Sequence, residues 1–306
     1  MTELYLKYEY GIAFSQLLLA MFGMGATLRI VDFVNVARTP RAFATGLSLQ
    51  LLMVPLIAVL FLALFNLHAG VAIGIAILAA IPGGTTSNIY TYFARGNIAL
   101  SIAITAVTTV ACLATVPIIL KLLITDYVPA DFQLPAARIA AEIFFSILAP
   151  LAMGMLALRL LPALAPQIST WSIRASLALI VVIILGATTS GRLDWAAFGL
   201  SNVLVVTGFT LALLAAGLAV PWLMGAPRAD IVAIDMELTV RNVNLAVLII
   251  ASLFPAANAA TSELGSMALF TVLVYGGWML MPALALIVAS RLHKNSAAAP
   301  TQPRIE

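Results

Sequence analysis

The chain has 306 residues, 63% of them hydrophobic and 9% charged, with a mean hydropathy of +1.12. A soluble domain carries about 25% charged residues, so this composition excludes a soluble globular chain and indicates a polytopic all-α membrane protein. The formal charge of +3 comes from Lys and Arg residues at the ends of apolar runs, with no basic stripe, which sets nucleic acid aside as a partner.

Nine apolar spans follow one another at approximately 10–30, 42–65, 69–93, 97–123, 136–160, 168–189, 196–221, 229–253 and 262–290. Each is near the ~20 residues that a helix needs to cross the hydrocarbon core. Turn chemistry marks the connections, as in Arg38-Thr39-Pro40, Gly96-Asn97 and Gly225-Ala226-Pro227. Residues Met1–Tyr10 are polar and the first span leads into a charged loop, so no cleavable signal peptide is expected. The tail from His293 onward reads as polar and disordered. A single cysteine, Cys112, lies in an apolar run and excludes an intramolecular disulfide. Lys7, Lys121, Arg138 and Arg192 fall on one side of the alternating spans, ten other basic residues on the opposite side, and Arg241 within the membrane. The richer side is the cytoplasm. The N-terminus is therefore expected outside and the C-terminus inside an inner (plasma) membrane.

Two spans carry polar interruptions. The third is broken at Pro82-Gly83-Gly84, which removes one amide donor and adds two permissive backbone positions. The eighth contains Asp235, Glu237 and Arg241. Charges at bilayer depth cost roughly 2.5–3.5 kcal/mol each on insertion scales, so they survive by pairing, binding ions or lining a cavity. The two spans are five apart, an odd number, so they run in opposite directions. Paired, interrupted spans in inverted halves mark a transporter site. Near the first break, Thr85, Thr86, Ser87 and Asn88 supply oxygens of the kind that sodium accepts, and Ser101 and Thr105, spaced i,i+4, share one helix face. Packing through small residues is the plain alternative for these hydroxyls. Glu237 is either protonated, or needs a cation, or forms an ion pair with Arg241, i,i+4 from it. Asp235 either pairs with Arg241 across the break or faces the cytoplasmic mouth, and is the candidate proton site. No nucleophile–base set or nucleotide loop is present, so no enzyme is expected.

At these residues the chain resembles the bile acid:sodium symporter family. The matching stretches are Met21–Gly25, Pro82–Asn88 with Thr91–Asn97, and Glu237–Asn242. The resemblance implies a core domain of crossed broken helices, a panel domain that moves against it, and inverted repeats. The panel would comprise residues 1–35 and 126–192. The core would comprise 36–125, with the broken helix 69–93, and 193–292, with the broken helix 229–253. A cytoplasmic tail, 293–306, would follow. The family's first sodium site maps onto Ser87, Asn88, Ser101, Thr105 and Glu237. Its second maps onto Gln50, Glu237, Leu238, Val240 and Arg241. The family's usual residue at the last position is Gln, so the guanidinium is expected to replace the second sodium. Substrate contacts map onto Thr85 and Asn242. A His-Asn pair of bile-acid-binding bacterial relatives aligns with Val274 and Tyr275, and Tyr275 is taken as a third substrate contact. The resulting expectation is a monomeric secondary transporter in the lipid bilayer. It imports a small organic anion, bile-acid-like, pantoate-like or another carboxylate, coupled to one sodium ion or to none, with no organic cofactor. A proton-coupled carrier and a cation-independent uniporter or channel are the alternatives.

Overall fold

The computed structural model describes residues 2–29, 40–84, 86–256, 258 and 260–297. They form α1 (Thr2–Gly25), α2 (Pro40–Leu64), α3 (Ala69–Ala80), α4 (Thr86–Phe93), α5 (Ile98–Leu123) and α6 (Ala136–Leu160). The chain continues through α7 (Ala165–Thr189), α8 (Trp195–Leu223), α9 (Arg228–Thr239), α10 (Val243–Leu253), α11 (Ser262–Trp278) and α12 (Leu280–Ala297). Among the described residues, α2, α5, α6, α7, α8 and the stretch Ser262–Ser290 are long and apolar enough to cross a membrane, and α3 and α10 are shorter apolar helices. The protein is a polytopic helical membrane protein.

Side-chain caps define several helix starts. Asn97 accepts from the Leu100 N–H at 3.1 Å and begins α5, and Asp194 accepts from Ala196 and Ala197 and begins α8. The first turn of α8 is set off from the rest by Gly199, at φ 72°. The predicted first span differs most from the structure, because α1 starts eight residues earlier. Tyr5, Glu9, Ala13, Leu17 and Met21 are all buried and four apart, so they form one inward stripe. Two polar members hid that stripe. The predicted tail also differs, because α12 continues to Ala297; residues beyond it lie outside those described.

α1 packs along α6 and α7 and also contacts α10. The α1–α6 joint is backbone on backbone: a Cβ on Gly25 would overlap the Leu151 carbonyl, and one on Gly154 would overlap the Phe22 carbonyl. At the centre lie α3 and α10. Every residue from Gly70 to Ala80 and from Leu245 to Leu253 is buried, as befits helices apolar on all faces. α3 packs on α11, α9 packs on α8, and α5 lies beside α3, α4 and α9. Exposed Leu52, Leu56 and Leu60 on α2 and Leu177, Val181 and Leu185 on α7 form the apolar surfaces that lipid would cover.

Candidate functional site

The two predicted interruptions meet. α3 ends at Ala80, just before Pro82, and α9 ends at Thr239. The extended residues between the half-helices pair antiparallel, Gly83 opposite Arg241. Gly84 N–H donates to Val240 O at 2.7 Å, and Asn242 N–H donates to Pro82 O at 3.1 Å. Unwound backbone at this depth thus satisfies itself across the crossing. Gly83 is required by the closeness of approach, because a Cβ there would lie 2.5 Å from Glu237 Oε2. The second break has neither Pro nor Gly. Asn242 caps α10 by accepting from Leu245 N–H at 3.2 Å, and Tyr275 Oη donates to Thr239 O, the last carbonyl of α9, at 2.7 Å.

Glu237 is fully buried and ringed by hydroxyls. Its Oε1 accepts from Ser87 Oγ at 2.5 Å and Ser101 Oγ at 2.6 Å, and its Oε2 from Thr105 Oγ1 at 2.8 Å. Asn88 Oδ1 lies 2.8 Å from Ser101 Oγ and 3.5 Å from Thr105 Oγ1. Each hydroxyl has one proton. Ser101 faces two acceptors with it, and Thr105 faces three, counting the Ser101 carbonyl at 3.0 Å. Lone pairs outnumber protons, so the cluster is chemically suited to a hard cation. All five residues assigned by resemblance to the first sodium site are brought together here.

Arg241 is 1% exposed and points elsewhere. Its Nη1 donates to Gln50 Oε1 and to Leu238 O, both at 3.2 Å, and its Nη2 donates to Ile81 O and, at 3.5 Å, to Ala79 O. Gln50 Nε2 also donates to Ile81 O, at 3.3 Å. The guanidinium therefore sits in a ring of carbonyl oxygens at the ends of α3 and α9, with Gln50 and Leu238 as anticipated. Val240 instead spends its carbonyl on Gly84. The ion pairs considered from sequence, Arg241 with Glu237 or with Asp235, are not among the salt bridges of the described residues. Helical spacing favoured the first pair, but α9 ends at Thr239, which turns Arg241 away from Glu237.

Asp235 is fully buried against Gly217 of α8. Thr239 Oγ1 lies 3.5 Å from its Oδ1, and its Oδ2 has no partner. It neither pairs with Arg241 nor faces a mouth. Thr85 lies outside the described residues. Asn242 is 6% exposed at the crossing, and Tyr275 is fully buried with its hydroxyl committed to Thr239. Tyr275, aligned by resemblance with a substrate-binding position, places its hydroxyl on the end of α9. Its spacing on α11 carried no signal for that role.

Residues 15–190 match the sequence profile described as the Sodium Bile acid symporter family, and the chain belongs to that family. It is 35% identical over 137 residues to an uncharacterized sodium-dependent transporter, YocS, of Bacillus subtilis (strain 168), covering 44% of this chain and 42% of that protein. It is 40% identical over 121 residues to a probable chloroplastic sodium/metabolite cotransporter, BASS1, of Oryza sativa subsp. japonica, covering 40% and 29%. The human ileal sodium/bile acid cotransporter is 27% identical over 215 residues, covering 67% and 61%. The matches thus span about two fifths of the first of these relatives and less than two thirds of the others.

Proposed function

We propose that the protein is a secondary transporter of the plasma membrane, N-terminus outside, that imports a small organic anion by alternating access. The observation that carries this reading is the carboxylate of Glu237 inside a shell of four further side-chain oxygens at a helix crossing. Helices α1, α6 and α7 would form the panel, and the remainder the core. One sodium ion would bind among Ser87, Asn88, Ser101, Thr105 and Glu237. Arg241 would stand in place of a second sodium, because a guanidinium keeps its charge through the whole cycle.

The N-termini of α4 and α10 both start at the crossing, and their dipoles favour an anionic group there. Thr85 and Asn242 would contact that group. Bringing a cation to Glu237 lowers the electrostatic penalty of an anion nearby, so ion and substrate binding favour each other reciprocally. Asp235, with an unpartnered buried oxygen, is where the coupling would move if a proton replaced sodium.

The test is uptake into proteoliposomes of labelled pantoate and taurocholate under imposed sodium or proton gradients. Accumulation driven by sodium alone is the expected result. Accumulation driven only by protons would transfer the coupling to the alternative, and flux without accumulation under either gradient would leave a channel or uniporter.

A further inference from the structure

Outside the crossing, the described residues hold a second buried cluster of charge. Glu9 of α1 and Arg192, in the turn between α7 and α8, form an ion pair with side chains 6% and 4% exposed. Arg192 stays with α7, because its N–H donates to Ala187 O at 3.0 Å. Its guanidinium crosses to α11, where Nε donates to Ser266 Oγ at 3.2 Å and Nη2 rests against Gly265 with no partner. A parallel bridge lies on the neighbouring helices. Glu142 of α6 accepts from Arg138 at 2.8 Å and from Ser252 of α10 at 2.8 Å. Both bridges lie at the end of the molecule where α7 passes into α8 and α10 passes toward α11.

We propose that these bridges are the outer seal of the transporter, the contact between panel and core that must part before the site opens outward. This inference rests on the alternating-access reading above. Glu9 and Arg192 move with the panel, whereas Ser266, Gly265 and Ser252 belong to the core. While the seal is closed, the ion pair is dry and one guanidinium nitrogen lacks an acceptor. When the panel swings away, water reaches the pair and completes its hydrogen bonds. The seal is therefore reversible by design of its chemistry: a fully satisfied, dry pair would hold the core shut, and a purely apolar contact would lose the relief that water brings. Glu9 matters because Arg192 can be buried only beside a counter-charge. Removing Glu9 penalises the closed form, where Arg192 is dry, far more than the open form, where it is wet.

The experiment places spin labels at Ala137→Cys on α6 and Glu263→Cys on α11, both exposed positions, in a Cys112→Ala background of the full chain in nanodiscs. Pulsed dipolar spectroscopy then reads the width of the outer end. Glu9→Gln is expected to raise the population of a longer distance at least about ten-fold. Glu9→Gln combined with Arg192→Leu should return the distribution to that of the parent, because no charge is then left to bury. Ser266→Ala with Ser252→Ala removes only the hydrogen bonds to the core and should lengthen the distance less, in the same direction. A parent-like distribution in both Glu9→Gln and the double serine variant overturns the seal. So does a double Glu9/Arg192 variant as open as Glu9→Gln alone. Uptake of pantoate and taurocholate by the parent is measured in parallel. Uptake with an unmoved outer end sinks the seal alone. An outer end that opens in a protein with no uptake sinks the transport reading alone.

Discussion

Two buried charges only four residues apart in sequence, Glu237 and Arg241, solve the same problem in opposite ways. Glu237 gathers hydroxyls that have fewer protons than the acceptors they face, and Arg241 gathers carbonyls that have no protons at all. On the proposed reading, the first shell would be completed by a cation that can arrive and leave. The second already contains its cation. The break at Thr239 separates the two, because a continuous helix would have stacked Arg241 one turn from Glu237 and let them neutralise each other. Interrupting the helix leaves the carboxylate to its hydroxyl partners.

The largest expected effect comes from removing the demand at the first shell. Glu237→Gln should reduce accumulation of substrate in sealed vesicles to background, while purified protein retains its thermal transition within a few degrees. Near-normal accumulation would show that the carboxylate is structural. Gly83→Ala comes next. Its new methyl would press on Glu237 Oε2 and spread the crossing, lowering stability by about 1–3 kcal/mol as other overpacked sites do. Thermal unfolding with and without sodium checks it: the sodium-dependent increase in the midpoint should be lost as well as the midpoint lowered.

Arg241→Gln sharpens the contrast directly. It removes the resident charge from the carbonyl ring, so uptake should acquire a steeper sodium dependence, with a Hill coefficient rising from about one toward two. Substrate affinity at saturating sodium should be preserved. An affinity that falls at every sodium concentration would instead assign the guanidinium to the substrate's carboxylate, and a wild-type coefficient close to two would end the comparison altogether. Tyr275→Phe is the mildest. It deletes one hydrogen bond to the end of α9, worth about 1 kcal/mol, and leaves the ring in place beside Phe209. Sodium affinity should weaken a few-fold without change in maximal uptake, measured as the concentration giving half-maximal rate.

Much of the carboxylate shell is legible in sequence, because a Glu in an apolar run and a Pro-Gly-Gly break are conspicuous for energetic reasons. The spacing of Ser101 and Thr105 also says that they share a face. The surroundings of Arg241 are not legible, since three of its acceptors are backbone carbonyls, which every residue carries. The second break is announced by its charges, but its position is hidden for a related reason. Val240 and Arg241 are compatible with a helix, and what ends it is tertiary: pairing with Pro82 and Gly84, and the Tyr275 clamp. The start of α1 was missed because Tyr5 and Glu9 occupy inward positions that a hydropathy reading assigns to solvent. Among the described residues the helices nonetheless follow in the predicted order, six of them of spanning length, and the third and eighth predicted spans each correspond to a pair of shorter helices.

The glycine joint between α1 and α6 has a mechanical consequence. Where Gly25 meets Gly154 the two helices touch through their backbones with no side-chain layer to shear, so a rotation of one would carry the other with it. The 24-residue α1 is then a stiff lever of about 36 Å. Rotation by roughly ten degrees about its midpoint would carry each end about 3 Å, in opposite directions. A modest parting at one membrane face would thus be geared to an approach of similar size at the other.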